Sequence, residues 1–210
     1  MLIEDVAREF VVYLDAENGC SPATIEAYRS DLRLFREFLQ SDETAPEVRA
    51  ITPEVLRRYI AGMSQDGLAA ATRGRRLYAL RSLWNYLEQA DLVDSNPTRK
   101  VATPRREQRL PNYLSAEECV QLLAACDSNH YVDLAFRDRT ILTVLIYQGL
   151  RRAELLGLRL SDADFDASTL LVRRGKGGKA RLLPLARQTA EALADWLEFR
   201  SASTDGALFV

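Results

Sequence analysis

Through the first hundred residues, apolar positions return every three or four residues, the spacing that gathers them on one face of a helix. Between residues 2 and 16 they fall at Leu2, Ile3, Val6, Phe10, Tyr13 and Leu14, and Asn18-Gly19 ends the run. Ser21-Pro22 is a start signal. The serine oxygen can accept from a free backbone N–H of the first turn, and a proline there gives up no hydrogen bond. The helix that follows turns Ile25, Tyr28, Leu32, Phe35 and Leu39 inward. Thr52-Pro53 repeats the signal ahead of Val55, Leu56, Tyr59 and Ile60. A fourth helix is predicted over residues 72–90, with Leu77, Leu80, Leu83, Trp84 and Leu87 inside. Four helices with short connections make a small bundle.

The pattern changes at Asn96-Pro97. Residues 98–111 contain Pro104, Pro111 and five basic residues with almost no apolar material, and read as an extended basic linker. This divides the chain into a domain over residues 1–97, the linker, and a second domain over residues 112–210. In the second domain Ser115 and Glu118 have the spacing of a capping box. A strongly apolar helix is predicted over residues 138–147, stopped by Gly149, and a short one over residues 152–158. Residues 170–172 and 181–183 read as the strands of a hairpin with its tip at Gly175 to Lys179. Residues 188–199 form an amphipathic helix burying Leu193, Trp196 and Leu197, and Ala207-Leu208-Phe209-Val210 is a final apolar run.

Composition narrows the class. The chain has 210 residues, 47% hydrophobic and 28% charged, ordinary values for a globular protein long enough for two small domains. No apolar stretch is long enough to span a membrane, and residues 1–10 do not resemble a signal peptide. Three scattered cysteines and one histidine supply too few ligands for a structural zinc site. No metal or cofactor is expected, and a reducing cytoplasm is the expected compartment. The net charge of −2 argues against a dedicated nucleic-acid binder, but the charges are segregated. Residues 71–109 hold nine basic residues against four acids, and residues 171–181 hold five against none. Such clusters attract a polyanion locally on a nearly neutral molecule.

Two motifs carry the candidate chemistry. The first is Gly149-Leu150-Arg151-Arg152-Ala153-Glu154-Leu155-Leu156-Gly157-Leu158. A guanidinium donates two parallel hydrogen bonds to a phosphate and keeps its charge. An arginine just after a helix-ending glycine stands at a cleft edge, and Glu154, three residues on, is placed to orient it. The second is Arg173-Arg174-Gly175-Lys176-Gly177-Gly178-Lys179-Ala180-Arg181. A lysine at a hairpin tip can reach a groove and deliver a proton to a leaving alkoxide. A nucleotide phosphate loop is excluded, because Arg173 stands where that motif needs glycine and Lys179 is followed by alanine. His130 belongs to no pattern beyond a surface or capping role.

Together the two motifs resemble the first half of the active site of the tyrosine recombinases, the phage-integrase superfamily, and most closely its Xer-type branch. Ser21-Pro22-Ala23-Thr24 through Ala27-Tyr28 also matches that family's opening helix, so the likeness runs essentially the whole chain. It implies a mainly α fold: an N-terminal four-helix core-binding (SAM-like) domain, then an incomplete α+β catalytic domain with a small antiparallel sheet. It implies Arg151 and Lys176 as catalytic residues gripping the scissile phosphate, and Glu154 as the orienting acid. DNA contacts are expected from Arg73, Arg75, Arg76, Arg81, Lys179 and Arg181. The partners implied are a double-stranded DNA recombination site and further recombinase protomers, in a homo- or hetero-tetramer on DNA, and no membrane. The family's attacking tyrosine lies near the end of a complete domain, and no tyrosine follows Tyr147 here. The sequence is therefore expected to be a truncated family member without its nucleophile, inactive alone. The alternatives are a catalytically inactive DNA-binding regulator or mobile-element remnant, and a helical protein–protein interaction module, against which the basic clusters argue.

Overall fold

The computed structural model describes residues 1–105, 111–128, 130–173, 179–200 and 206–210. The chain divides into two compact units, Met1–Leu110 and Pro111–Val210.

The first unit is the expected bundle of helices: α1 (Ile3–Ala16), α2 (Pro22–Ser41), α3 (Pro53–Gln65) and α4 (Ala70–Gln89). The start signals behave as their chemistry requires. Ser21 Oγ accepts from Thr24 N and Thr52 Oγ1 from Val55 N, each with proline in the first turn. The apolar stripes meet in one core that includes Val6, Phe10, Leu32, Phe35, Leu56, Leu80 and Trp84. Ring contacts knit it: Phe35 packs edge-on against Tyr59 and Trp84, and Phe10 edge-on against Tyr28.

One expectation for this region changes. The first part of the supposed linker is packed rather than extended. Pro97–Lys100 forms a 3-10 turn, Thr98 and Val101 are buried, and Val101 joins the bundle core. Arg81 fastens the segment from α4: its Nη2 donates to Val101 O and its Nη1 to Thr103 Oγ1, both at 2.6 Å. Two small side chains sufficed to anchor it, too few to register as an apolar pattern.

The second unit comprises α5 (Ala116–Cys126), α6 (Val132–Gln148), α7 (Arg152–Leu156), strands β1 (Ala163–Asp164), β2 (Thr169–Val172) and β3 (Arg181–Pro184), and α8 (Arg187–Phe199). The capping box at Ser115 and Glu118 forms in both directions. The strands make an antiparallel sheet in the order β1-β2-β3, with Val172 opposite Arg181 and Thr169 opposite Pro184. β1 was not foreseen, and α6 begins six residues earlier than predicted. Its added turns are secured by Phe136, which stacks on Phe199 of α8 with ring centroids 4.1 Å apart. Leu197, expected inside, is exposed, while Leu193 and Trp196 are buried. The final apolar run is docked: Leu208 N donates to Leu158 O and Trp196 Nε1 to Leu208 O, both at 2.9 Å. Among the described residues, no helix is long and apolar enough to cross a membrane.

Candidate active site and nucleic-acid interface

Gly149 ends α6 with φ +60°, a left-handed turn that L-residues with side chains rarely adopt. The chain reverses there and starts α7 three residues later. Leu150, Leu155 and Leu158 plug the junction into the core of the second unit. Arg151, between those anchors, is left at the surface with a largely exposed side chain.

Glu154 is the fixed point of this site. Its side chain is only 3% exposed, yet it accepts four hydrogen bonds. Arg151 N reaches Oε2 and Arg151 Nη1 reaches Oε1, both at 2.9 Å. From β3, Arg181 Nη1 reaches Oε1 at 2.8 Å and Nη2 reaches Oε2 at 2.9 Å, a bidentate pair. The Arg181 fork, with the Arg151 backbone N–H next, holds the Glu154 carboxyl down at a pKa of about 2. The carboxylate thus ties the arginine junction to the base of the lysine hairpin. Among the described residues only one Arg151 terminal nitrogen is engaged, and the side chain is largely exposed. A neighbouring pair reinforces the sheet edge: Arg173 Nε donates to the buried Asp162 Oδ1 at 2.5 Å.

The remaining expected site residues fall in different settings. Lys176 lies outside the described residues. Lys179 is exposed. Arg181, expected at a DNA phosphate, has its guanidinium fork on Glu154. In the first unit, Arg81 holds the 97–103 segment. Arg75 Nη1 donates to Asp31 Oδ2 across α2 and α4, and Arg76 Nε stands 4.0 Å from Asp31 Oδ1. Burial pushes the Asp31 carboxyl pKa up, and Arg75 and Arg76 oppose it. Arg73 is half-buried, and its Nε has no hydrogen-bond partner. Sequence reasoning missed Asp31 and the second arginine of Glu154. Asp31 had a legible sign, an acid lying on the inward stripe between Tyr28 and Phe35. The Arg181–Glu154 pair spans 27 positions and had none.

The tyrosines placed inward by the apolar pattern, Tyr13, Tyr28 and Tyr59, pack in or against the bundle core. Tyr59 is buried, and burial pushes its phenol up to about 12. Tyr13, Tyr28 and Tyr86 are half-buried, while Tyr78, Tyr113, Tyr131 and Tyr147 are exposed. Tyr13, Tyr28, Tyr59 and Tyr86 thus belong to the bundle core or its margin, and the other four do not. Among the described residues, no cluster of histidine, cysteine, aspartate or glutamate could hold a metal ion.

Comparison with known proteins agrees with this architecture. The phage integrase family model matches residues 112–210, and the phage integrase N-terminal SAM-like domain model matches residues 7–91. Tyrosine recombinase XerC of Pelotomaculum thermopropionicum is 39% identical over 193 residues, 90% of this chain and 62% of the relative. XerC of Pseudomonas entomophila is 34% identical over 210 residues, 99% of this chain and 69% of the relative. In three dimensions the fold matches a lambda integrase tetramer bound to a Holliday junction, with a TM-score of 0.74 at 18% identity over 93% of this chain and 54% of that one. It also matches the Tn1549 transposon integrase in complex with circular intermediate DNA, with a TM-score of 0.69 at 17% identity over 98% of this chain and 70% of that one. The chain belongs to the phage integrase family of tyrosine recombinases and is XerC-like within it. It spans about two thirds of the length of these XerC relatives.

Proposed function

We propose that this chain is the DNA-gripping part of a Xer-type site-specific recombinase. Its first unit lies against a duplex through the α4 arginines, and Arg151 and Lys176 of the second engage the scissile phosphate. The observation that carries this reading is Arg151 itself: backed by a buried carboxylate with four donors, it presents its open guanidinium edge to solvent. A guanidinium held in this way is already oriented for a phosphate oxygen, so binding it costs little further ordering.

In the reaction the family carries out, a tyrosine oxygen attacks phosphorus and displaces the 5′-oxygen, leaving a 3′-phosphotyrosyl bond. Arg151 would neutralise charge on the non-bridging oxygens and Lys176 would protonate the departing 5′-oxygen. A second strand's 5′-hydroxyl then reverses the step, so no external energy source is needed. None of the eight tyrosines follows Lys176 in sequence, where the family's nucleophile lies, and we assign that role to none of them. Arg181 acts through Glu154 as a positioning residue, and Lys179 remains a candidate for a direct phosphate contact. Exchange would need further recombinase protomers on the same DNA.

The test is titration of a duplex at several salt concentrations. Binding through these clusters predicts log affinity falling with log salt at about −0.9 for each phosphate neutralised. No duplex binding even at low salt would remove the reading.

A further inference from the structure

The ion pair between Asp31 and Arg75 is a poor device for stability alone. Asp31 is 3% exposed and Arg75 is half exposed. Asp31 Oδ1 is buried with no hydrogen-bond partner, and Arg76 Nε, 4.0 Å from it, is in the same condition. Buried atoms left so are costly, and a buried charge pair with unmet donors and acceptors seldom repays its desolvation. What the arrangement does achieve is orientation. The carboxylate takes one terminal nitrogen of Arg75 from the inner side, which leaves the outer donors of that guanidinium uncommitted.

Two further features mark the place. Arg75 and Arg76 on α4 face one carboxylate, Asp31, so positive charge is in excess there. Beside Arg75 a surface depression opens between α2 and α4, with Ala23, Ala27 and Ala79 as its small side chains and Thr24, Tyr28 and Tyr78 bearing hydroxyls. A sugar–phosphate chain could approach Arg75 there without displacing a bulky side chain.

We propose that Asp31 is a positioning residue for DNA: by anchoring Arg75 and steadying Arg76, it fixes the outward edge of the Arg75 guanidinium for a backbone phosphate. This rests on the DNA-binding reading above. Backbone contacts are independent of sequence, so a short duplex of arbitrary sequence serves as the probe.

The decisive property is the sign of the effect. If Asp31 were only a nearby negative charge, Asp31→Asn would tighten DNA binding. As a positioning residue, its loss should weaken binding by about tenfold, the worth of a hydrogen bond to a charged group, although the protein becomes more positive. In an Arg75→Ala background, Asp31→Asn should produce no further loss, because the residue acts through Arg75. Circular dichroism and melting curves establish that each variant is folded. Should Asp31→Asn not fold, Asp31→Glu replaces it: the charge stays, the carboxylate shifts by a methylene, and binding should still weaken. Equal or tighter binding by the substituted chain overturns the proposal, as does an undiminished loss in the Arg75→Ala background. A wild-type chain that binds no duplex overturns the DNA reading with it, whereas failure in the variants alone leaves that reading standing.

Discussion

Glu154 illustrates how one side chain can organise a site it need not touch chemically. Four donors converge on a carboxylate almost removed from solvent, and its pKa falls from 4.5 to about 2. A depressed folded-state pKa means the folded chain binds that proton less readily than the unfolded chain does. The stability it contributes is therefore complete above about pH 4.5. It is lost as pH falls through that value towards about 2. Glu154→Gln should flatten that part of the acid-unfolding profile, as followed by melting curves across the same range. Wild type and variant profiles that remain parallel would show that the four contacts carry no net linkage. The site's arginine and acid were legible from local spacing, because Arg151 caps the short helix α7 and Glu154 lies three residues further on, in its first turn. Arg181 was expected at DNA from the family resemblance, and sequence does not display the carboxylate on which its guanidinium is seated.

At the level of elements, the junction between α6 and α7 depends on Gly149. A Cβ built there would meet no atom within 4 Å, so space is not the constraint; the backbone angle is. Gly149→Ala should cost about 1–2 kcal/mol for placing an L-residue at that angle. A urea denaturation curve measures it, and an unchanged midpoint would mean the turn relaxes freely. Elements with strong periods and paired start signals were readable: α1 to α4 repeat at three and four, and Ser21-Pro22 and Thr52-Pro53 cap where they stand. The hairpin was readable from two apolar strands around glycines. β1 was not, since two residues hold no period and exist as strand only because β2 lies beside them. The docking of residues 97–103 was hidden for a similar reason. It rests on buried Thr98 and Val101 and on Arg81, which sequence presented as a surface charge.

For the whole molecule, a net charge of −2 and a proposed polyanion partner are compatible because association responds to local potential, not to the sum. Each unit contributes its own cationic features, the α4 arginines in the first and Arg151 with the lysine hairpin in the second. In the proposed function the chain grips DNA, and none of its eight tyrosines acts as the nucleophile. In-line attack requires a tyrosine oxygen roughly 3 Å from phosphorus, and Tyr147, the last in the sequence, lies on α6 ahead of both Arg151 and Lys176. The most direct measurement is a nicked suicide substrate incubated with the 210-residue chain and run on native and denaturing gels in parallel. The expected result is a shifted band on the native gel and no protein–DNA band on the denaturing one. A covalent band mapped to any of Tyr13, Tyr28, Tyr59, Tyr78, Tyr86, Tyr113, Tyr131 or Tyr147, or the absence of any native shift, would contradict it.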